Sequence, residues 1–344
     1  MIFLPVSSES LNQAAQILKQ GGLVAFPTET VYGLGANAFN SQALVKVFEV
    51  KRRPSFDPLI IHIASVKTLE NVADLSLLSD CLRDKLSLLV KNLWPGPLSI
   101  VLPKNKKIPD IATAGLFTAA IRIPDHEDAL KLISMSGTAV AAPSANPFGC
   151  LSPTKAEHVR KNLGKKIDMI LDGGPAKVGL ESTVLDITGE KIKILRPGGT
   201  PKEVIEKIIG PIQDCQPAAE SGPENGLVSP GQLKSHYAPK KHLSVFTRED
   251  IIRKPYEKNT AFLFYDGSAR NVWIETLKGN IPKTAIVNVL SETGSAQEAA
   301  SNFFETLHKL DNCRITRINA QFAPPQGLGI AINDRLKRGS IKEE

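Results

Sequence analysis

The polar residues with the clearest chemical potential stand in the run Pro27-Thr28-Glu29-Thr30-Val31-Tyr32-Gly33-Leu34-Gly35, directly after the apolar stretch Leu23 to Phe26. Hydroxyls and a carboxylate at the carboxyl end of a strand are where α/β proteins hold ligands. Gly33-x-Gly35-x-x-Ala38 also has the outline of a dinucleotide fingerprint. That reading needs an acid about 20 residues on, closing a second strand, and Glu49 instead falls at the end of a helical stretch. Taken alone, the glycines read as turn formers.

Further polar clusters follow. Lys51-Arg52-Arg53-Pro54 precedes Asp57-Pro58 and an apolar run ending in His62-Ile63. Cations at a helix C-terminus suit the helix dipole, but flanking prolines stiffen the loop and favour a fixed phosphate or carboxylate site. His62 shares a strand face with Ile60, where a lone histidine is either a hydrogen-bonded core residue or a ligand contact. Ser144 and Asn146 enter a Pro/Gly loop, with Ser152-Pro153-Thr154 shortly after. Glu181-Ser182-Thr183 feeds a strand, and Arg196 ends another. Turn formation accounts for each of these singly. Together they set Lys51, Arg53, Arg122, Arg196 and several hydroxyls at strand ends, where they can converge on one anion-binding cleft.

Other chemistries lack their residues. No GxxxxGK[ST] loop, GxSxG elbow or HExxH pair occurs. Cys81, Cys150, Cys215 and Cys313 are scattered and form no CxxC pair, so no metal site is expected. The 344 residues carry net charge +7, which permits an anionic substrate or an RNA partner without indicating either. No apolar run is long enough for a membrane span, and the first ten residues lack the pattern of a secretory signal.

The elements that must position these residues alternate between strand-like and helix-like over 1–210. Helices are expected at Ser10 to Gln20 and Ser41 to Val50. Strands are expected at 23–26, 59–63, 98–102, 118–123, 138–142, 167–171, 183–187 and 192–195. Thr154 to Glu157 has capping-box spacing, so a helix should start there. This is an α/β domain with a large twisted sheet. Residues 211–240 lose the periodicity and are rich in Pro and Gly, which reads as a linker of about 30 residues. Alternation resumes over 241–344, with strands at 242–246, 260–264 and 284–289 and a helix at 295–310, enough for a smaller α/β domain. The late charges Asp334, Arg335, Lys337 and Arg338 read as a solvated helix face, with a docking surface for a macromolecular partner as the alternative.

The ordered set FPTETVYGLG, KRRP…DPLIIHI, APSANPFG…SPT, GLESTVLD and ILRPG resembles the YrdC family of threonylcarbamoyl-AMP synthases. SPGQLKSHYAP (Ser229 to Pro239) and GLGIAINDRLKRGS (Gly327 to Ser340) are similar to the linker and the C-terminal end of the family's long form. The resemblance implies a mixed parallel and antiparallel sheet in a YrdC-like domain, followed by a Rossmann-like one. It implies synthesis of threonylcarbamoyl-adenylate and pyrophosphate from L-threonine, bicarbonate or CO2, and ATP. Mg2+ would come with the nucleotide, with no dedicated metal cage. The adenylate would pass in the cytoplasm to a transferase that modifies tRNA beside the anticodon.

Carried over by position, Lys51, Arg53, Ser144 and Asn146 match the family's tetrad around ATP. Thr30, His62, Arg122 and Ser182 match threonine contacts, with Arg122 pairing the substrate carboxylate. Asp57, Thr118, Ser152 and Arg196 match nucleotide contacts, although Asp57 stands where Asn is expected. His236 and Tyr237 lie in the linker signature, as a lid over the nucleotide or an ordinary aromatic anchor. The rival class is a double-stranded RNA or tRNA-binding module without catalysis. Aromatic residues at 6% leave few stacking platforms for it.

Overall fold

The computed structural model describes residues 1–213, 236–282 and 284–341. Most of the expected linker, 214–235, lies outside the described residues. By compactness the chain forms two units. The first holds 1–148, 152–177 and the described residues from 181 to 213. The second holds 149–151, 178–180 and the described residues from 236 on.

The first unit is built on β1 (Ile2–Pro5), β2 (Val24–Phe26), β3 (Gly33–Asn37), β4 (Ile60–His62), β5 (Leu98–Pro103), β6 (Thr118–Arg122), β7 (Val140–Ala141), β8 (Met169–Asp172), β9 (Thr183–Asp186) and β10 (Lys193–Arg196). They form one sheet in the order β1-β8-β2-β3-β7-β4-β6-β5-β9-β10. β4 and β6 run parallel, as do β5 and β9, whereas β2–β3, β3–β7, β4–β7, β5–β6 and β9–β10 are antiparallel. Both faces are buried, which explains the near-continuous apolar runs. Ala25, Ile61 and Ile121 enter one core, and Val24 and Phe26 enter another. Ile60, Val101, Ala120, Val184 and Leu195 make a small third cluster. With a two-residue repeat, His62 and Arg122 share the face of Ile60 and Ala120. A small apolar floor thus lies on the face from which the site's charged groups project.

Two expectations about the first unit are corrected here. Gly33 and Gly35 form no turn: they lie inside β3, paired with Phe26 and Val24. A Cβ on Gly35 would come within 2.9 Å of both Phe26 Cε1 and Val140 Cγ1, so this glycine serves close packing. The capping box at Thr154 does not form. The helix Ala156–Asn162 takes Lys155 as its N-cap, which leaves Glu157 one position too early to reach back, and the Thr154 amide donates to His158 Nδ1 instead (3.3 Å). The helix Asp80–Leu93 is absent from the expected elements, although Leu82, Leu86, Leu89, Val90 and Leu93 recur along it at helical spacing and pack on the core.

The second unit has an all-parallel sheet of β11 (His242–Phe246), β12 (Thr260–Asp266), β13 (Ile286–Ser291) and β14 (Arg317–Gln321), ordered β11-β14-β12-β13. Parallel neighbours require crossovers, and helices Gly267–Thr276, Ala296–Asp311 and Leu328–Ser340 supply them or flank them. Phe262, Phe264 and Trp273 pack its core. The solvated-face reading of Arg335 fails: the side chain is fully buried, pairs with Asp334 at 3.0 Å and lies 5.2 Å from the Tyr237 ring centroid. Cation–π and ion-pair contacts offset the cost of burying it.

Candidate active site

Arg122 organises the first cluster. β4 and β6 pair in register His62 to Arg122, so the two side chains stand side by side. Arg122 Nε donates to His62 Nε2 (2.9 Å), Nη1 to Glu29 Oε1 (3.2 Å) and Nη2 to Thr30 Oγ1 (3.0 Å). A guanidinium is only a donor, so His62 Nε2 must accept, and the ring proton sits on Nδ1, facing Ile60 O at 3.2 Å. Burial and the adjacent guanidinium hold His62 well below the usual histidine range, so it is neutral at pH 7. Thr28 spends its proton on Val31 O (2.6 Å), so the Thr30 hydroxyl donates to Thr28 (2.8 Å) and keeps a lone pair for Arg122. Burial also lowers Arg122, and the charge of Glu29 opposes that shift.

The loop of Thr30 is tied to the Ser144 loop. Tyr32 O accepts from the Ala145 amide (2.8 Å), Leu34 N donates to Pro143 O (2.8 Å), and Gly33 bridges Ser144. Lys51 enters the same place from the end of the helix Ser41–Lys51. Its Nζ donates to Ser144 O (2.6 Å) and to Asn146 O, so the lysine shapes this loop. The helix closes through Arg52 in the left-handed region (φ 54°), with the Arg53 amide returning to Phe48 O (2.9 Å).

Arg53 is held by its own loop. Nε donates to Asp57 O (2.9 Å), Nη2 to Pro58 O (2.8 Å), and the Asp57 carboxylate pairs with Nη2 at 2.9 Å. Burial pushes the Asp57 carboxyl up, while Arg53, Lys51 and Arg196 pull it down. Asp57 thus sits among three cations that favour its charged form and oppose the larger effect of burial.

Arg196, at the end of β10, folds onto Ser182: Nη2 reaches its carbonyl at 2.9 Å and its hydroxyl at 3.2 Å. Ser182 Oγ also meets Ser99 Oγ at 2.8 Å, and Ser152 donates to Glu181. Gly198 permits this fold, since a Cβ there would lie 2.4 Å from Glu181 O. The charge of Arg196 acts on both Asp57 and Arg122, so these clusters share one electrostatic environment.

Thr118 opens β6, four residues before Arg122, and its hydroxyl makes no hydrogen bond among the described residues. His236 and Tyr237 lie in the second unit, ring centroids 4.0 Å apart, with Tyr237 5.8 Å from Phe304 and with positive φ (63°). The site reading missed Glu29, Ser99 and Glu181. Glu29 and Glu181 lie inside motifs already singled out, whereas no local signal marks Ser99.

Residues 16–198 match the Sua5–YciO–YrdC family, described as telomere recombination. Residues 200–340 match the threonylcarbamoyl-AMP synthase C-terminal domain. The chain belongs to the long-form Sua5–YrdC family. Among Sua5–YrdC relatives, the threonylcarbamoyl-AMP synthase of Pyrococcus abyssi is 41% identical, over 95% of this chain and 93% of its own. That of Bacillus subtilis is 39% identical, over 98% and 94%. The crystal structure of P. abyssi Sua5 complexed with L-threonine superposes with a TM-score of 0.85 at 38% identity, covering 99% of this chain and 97% of that one. A second P. abyssi Sua5 structure, with an adjacent His and Tyr both replaced by Ala, superposes at 0.81 and 36% identity, covering 99% and 96%.

Proposed function

We propose that the chain is an L-threonylcarbamoyladenylate synthase: a nucleotidyltransferase that makes threonylcarbamoyl-AMP and pyrophosphate from L-threonine, bicarbonate or CO2, and ATP. The observation that carries this reading is the buried Arg122 with Glu29, Thr30 and His62 around it, in a chain similar over nearly its whole length to a relative with L-threonine bound.

The chemistry needs no protein nucleophile. Threonine's neutral amine adds to CO2 and gives up a proton to solvent, leaving a carbamate anion. A carbamate oxygen then forms a bond to the α-phosphorus, the α–β phosphoanhydride bond breaks, and pyrophosphate leaves with the electron pair. Two anions must meet, so fixed cations and donors supply the catalysis. In this reading Arg122 pairs the threonine carboxylate, and Thr30, His62 and Ser182 complete its pocket. Lys51, Arg53, Ser144 and Asn146 form the ATP tetrad, and Thr118, Ser152 and Arg196 contact the nucleotide. Asp57 acts by holding Arg53. His236 and Tyr237 close over the nucleotide, a role supported by the resemblance and by the choice of such a pair for replacement in the P. abyssi protein.

Among the described residues no three His, Cys, Asp or Glu side chains group as a metal cage, and Asp57 is engaged by Arg53. A Mg2+ ion would come with the nucleotide phosphates and neutralise part of their charge. No helix among the described residues is long and apolar enough to cross a membrane. The enzyme works in the cytoplasm and hands its adenylate to a transferase acting on tRNA.

The test is pyrophosphate release by the purified chain. Release should require ATP, threonine and bicarbonate together, with the adenylate recovered as product. Equal turnover with serine, or release without threonine, would overturn the assignment.

A further inference from the structure

Glu29 has a half-used carboxylate. The residue is 3% exposed, and Oε1 accepts from Arg122 Nη1 at 3.2 Å, yet Oε2 is buried with no hydrogen-bond partner among the described residues. Leaving a buried acceptor empty costs about 1–3 kcal/mol, and more when it is charged. Such an atom needs an account, and a missing donor gives one. His126 is close enough to feel this carboxylate, and its Nδ1 is likewise buried without a hydrogen bond.

Arg122 defines where that donor comes from. A guanidinium carries five N–H groups. Among the described residues Arg122 spends one on His62, one on Glu29 and one on Thr30. One N–H remains on each terminal nitrogen, the arrangement that grips a carboxylate with two parallel bonds. In an α-amino acid the ammonium sits one carbon from the carboxylate. An amino acid gripped there has its nitrogen within reach of one of two flanking residues, Glu29 beside Nη1 or Thr30 beside Nη2, and of these Glu29 offers the buried acceptor without a partner.

We propose that Glu29 Oε2 is the acceptor for the α-amino group of the substrate, so that Arg122 and Glu29 read the two ends of the zwitterion as a pair. The proposal rests on the threonine-binding reading above and adds a residue to it. The same oxygen accepts from the ammonium as it binds and, once the nitrogen has released two protons to solvent and bonded to the CO2 carbon, from the single N–H of the carbamate. A carboxylic acid lacking the amine satisfies Arg122 and leaves Oε2 as empty as before.

Calorimetric titration of the full chain without ATP tests this, using L-threonine and 3-hydroxybutanoate, which is threonine without its amine. Wild type should prefer threonine by about tenfold or more, the range of a charge-assisted hydrogen bond. Glu29→Gln should weaken threonine by about tenfold or more and 3-hydroxybutanoate by less than about threefold. Threonine binding retained within threefold, or an equal loss of both ligands, would overturn the proposal. If Glu29→Gln does not fold, Glu29→Asp keeps the charge opposite Arg122 and is read the same way, selective loss of threonine supporting the idea and parallel loss sinking it. Absence of threonine binding by wild type is a separate result, which removes the function proposed above.

Discussion

Arg122 and Arg53 are both buried cations of the same unit, but they are held in opposite ways. Arg122 stands on a strand, and its partners Glu29, Thr30 and His62 come from loops and strands 60 to 93 residues away. Arg53 stands on a loop, and the hydrogen bonds and ion pair described for it lie within five residues: two carbonyls and the Asp57 carboxylate. The first is tied into the sheet, and the second is tied into its own turn. Disturbing Arg122 should therefore propagate into the fold, and disturbing Arg53 should remain a local loss of function.

The largest effect is expected at Arg122. Arg122→Met leaves Glu29 buried without its counter-charge, which costs about 3–5 kcal/mol and lowers kcat/KM by about a hundredfold or more. Urea denaturation and pyrophosphate release measure the two. Adding Glu29→Gln should restore part of the lost stability and none of the activity, since the double variant no longer buries an unpaired charge. A single variant as stable as wild type would break the contrast.

Arg53→Ala should cut turnover by about tenfold while costing only about 1–2 kcal/mol of stability. Asp57 keeps Lys51 and Arg196 as neighbouring cations, and its raised carboxyl can also take up a proton. Unfolding of this variant would show that the loop supports the sheet after all. Asp57→Asn should do less, about threefold in KM for ATP and within about 1 kcal/mol of stability, because Arg53 retains its two carbonyls and burying the charged carboxyl was itself a cost. A tenfold loss with Asp57→Asn would instead make that carboxylate a direct part of the nucleotide site.

The same contrast decides what the chain made legible. Lys51, Arg53, Asp57 and Pro58 form one string, so their joint role could be read along the sequence. The Arg122 cluster could be named residue by residue only through the resemblance, because its parts meet through the β4–β6 register, which no local pattern encodes. Glu29 was visible in its motif and went unassigned, since nothing in the sequence says which oxygen lacks a partner. The β3 glycines were misread because a close approach to Phe26 and Val140 is a tertiary fact, and a glycine pair in sequence looks like a turn. The strands with uniform apolar runs were found because both faces of the sheet are buried, which leaves period-independent hydrophobic blocks.

The smallest effect expected is a pH dependence that singles out the sheet-held cluster. His62 is neutral when folded, its value pushed down by burial and by Arg122. In the unfolded chain it titrates near 6.5. Between the folded value and 6.5 the unfolded state binds more protons, so stability rises with pH across that window and is lost on acidification. From pH 7 to pH 6 the share of one such histidine is about 0.7 kcal/mol. His126, also pushed down, adds a term of the same sign. His62→Gln keeps an acceptor for Arg122 and removes only the titration, so its stability should fall less steeply than that of wild type over this range, with the His126 term left. Denaturation midpoints measured at half-unit steps from pH 7.5 to 5.5 give the comparison. Parallel curves for the two proteins would mean that His62 is not held neutral in the folded chain, and that its hydrogen bond from Arg122 does not persist over this range.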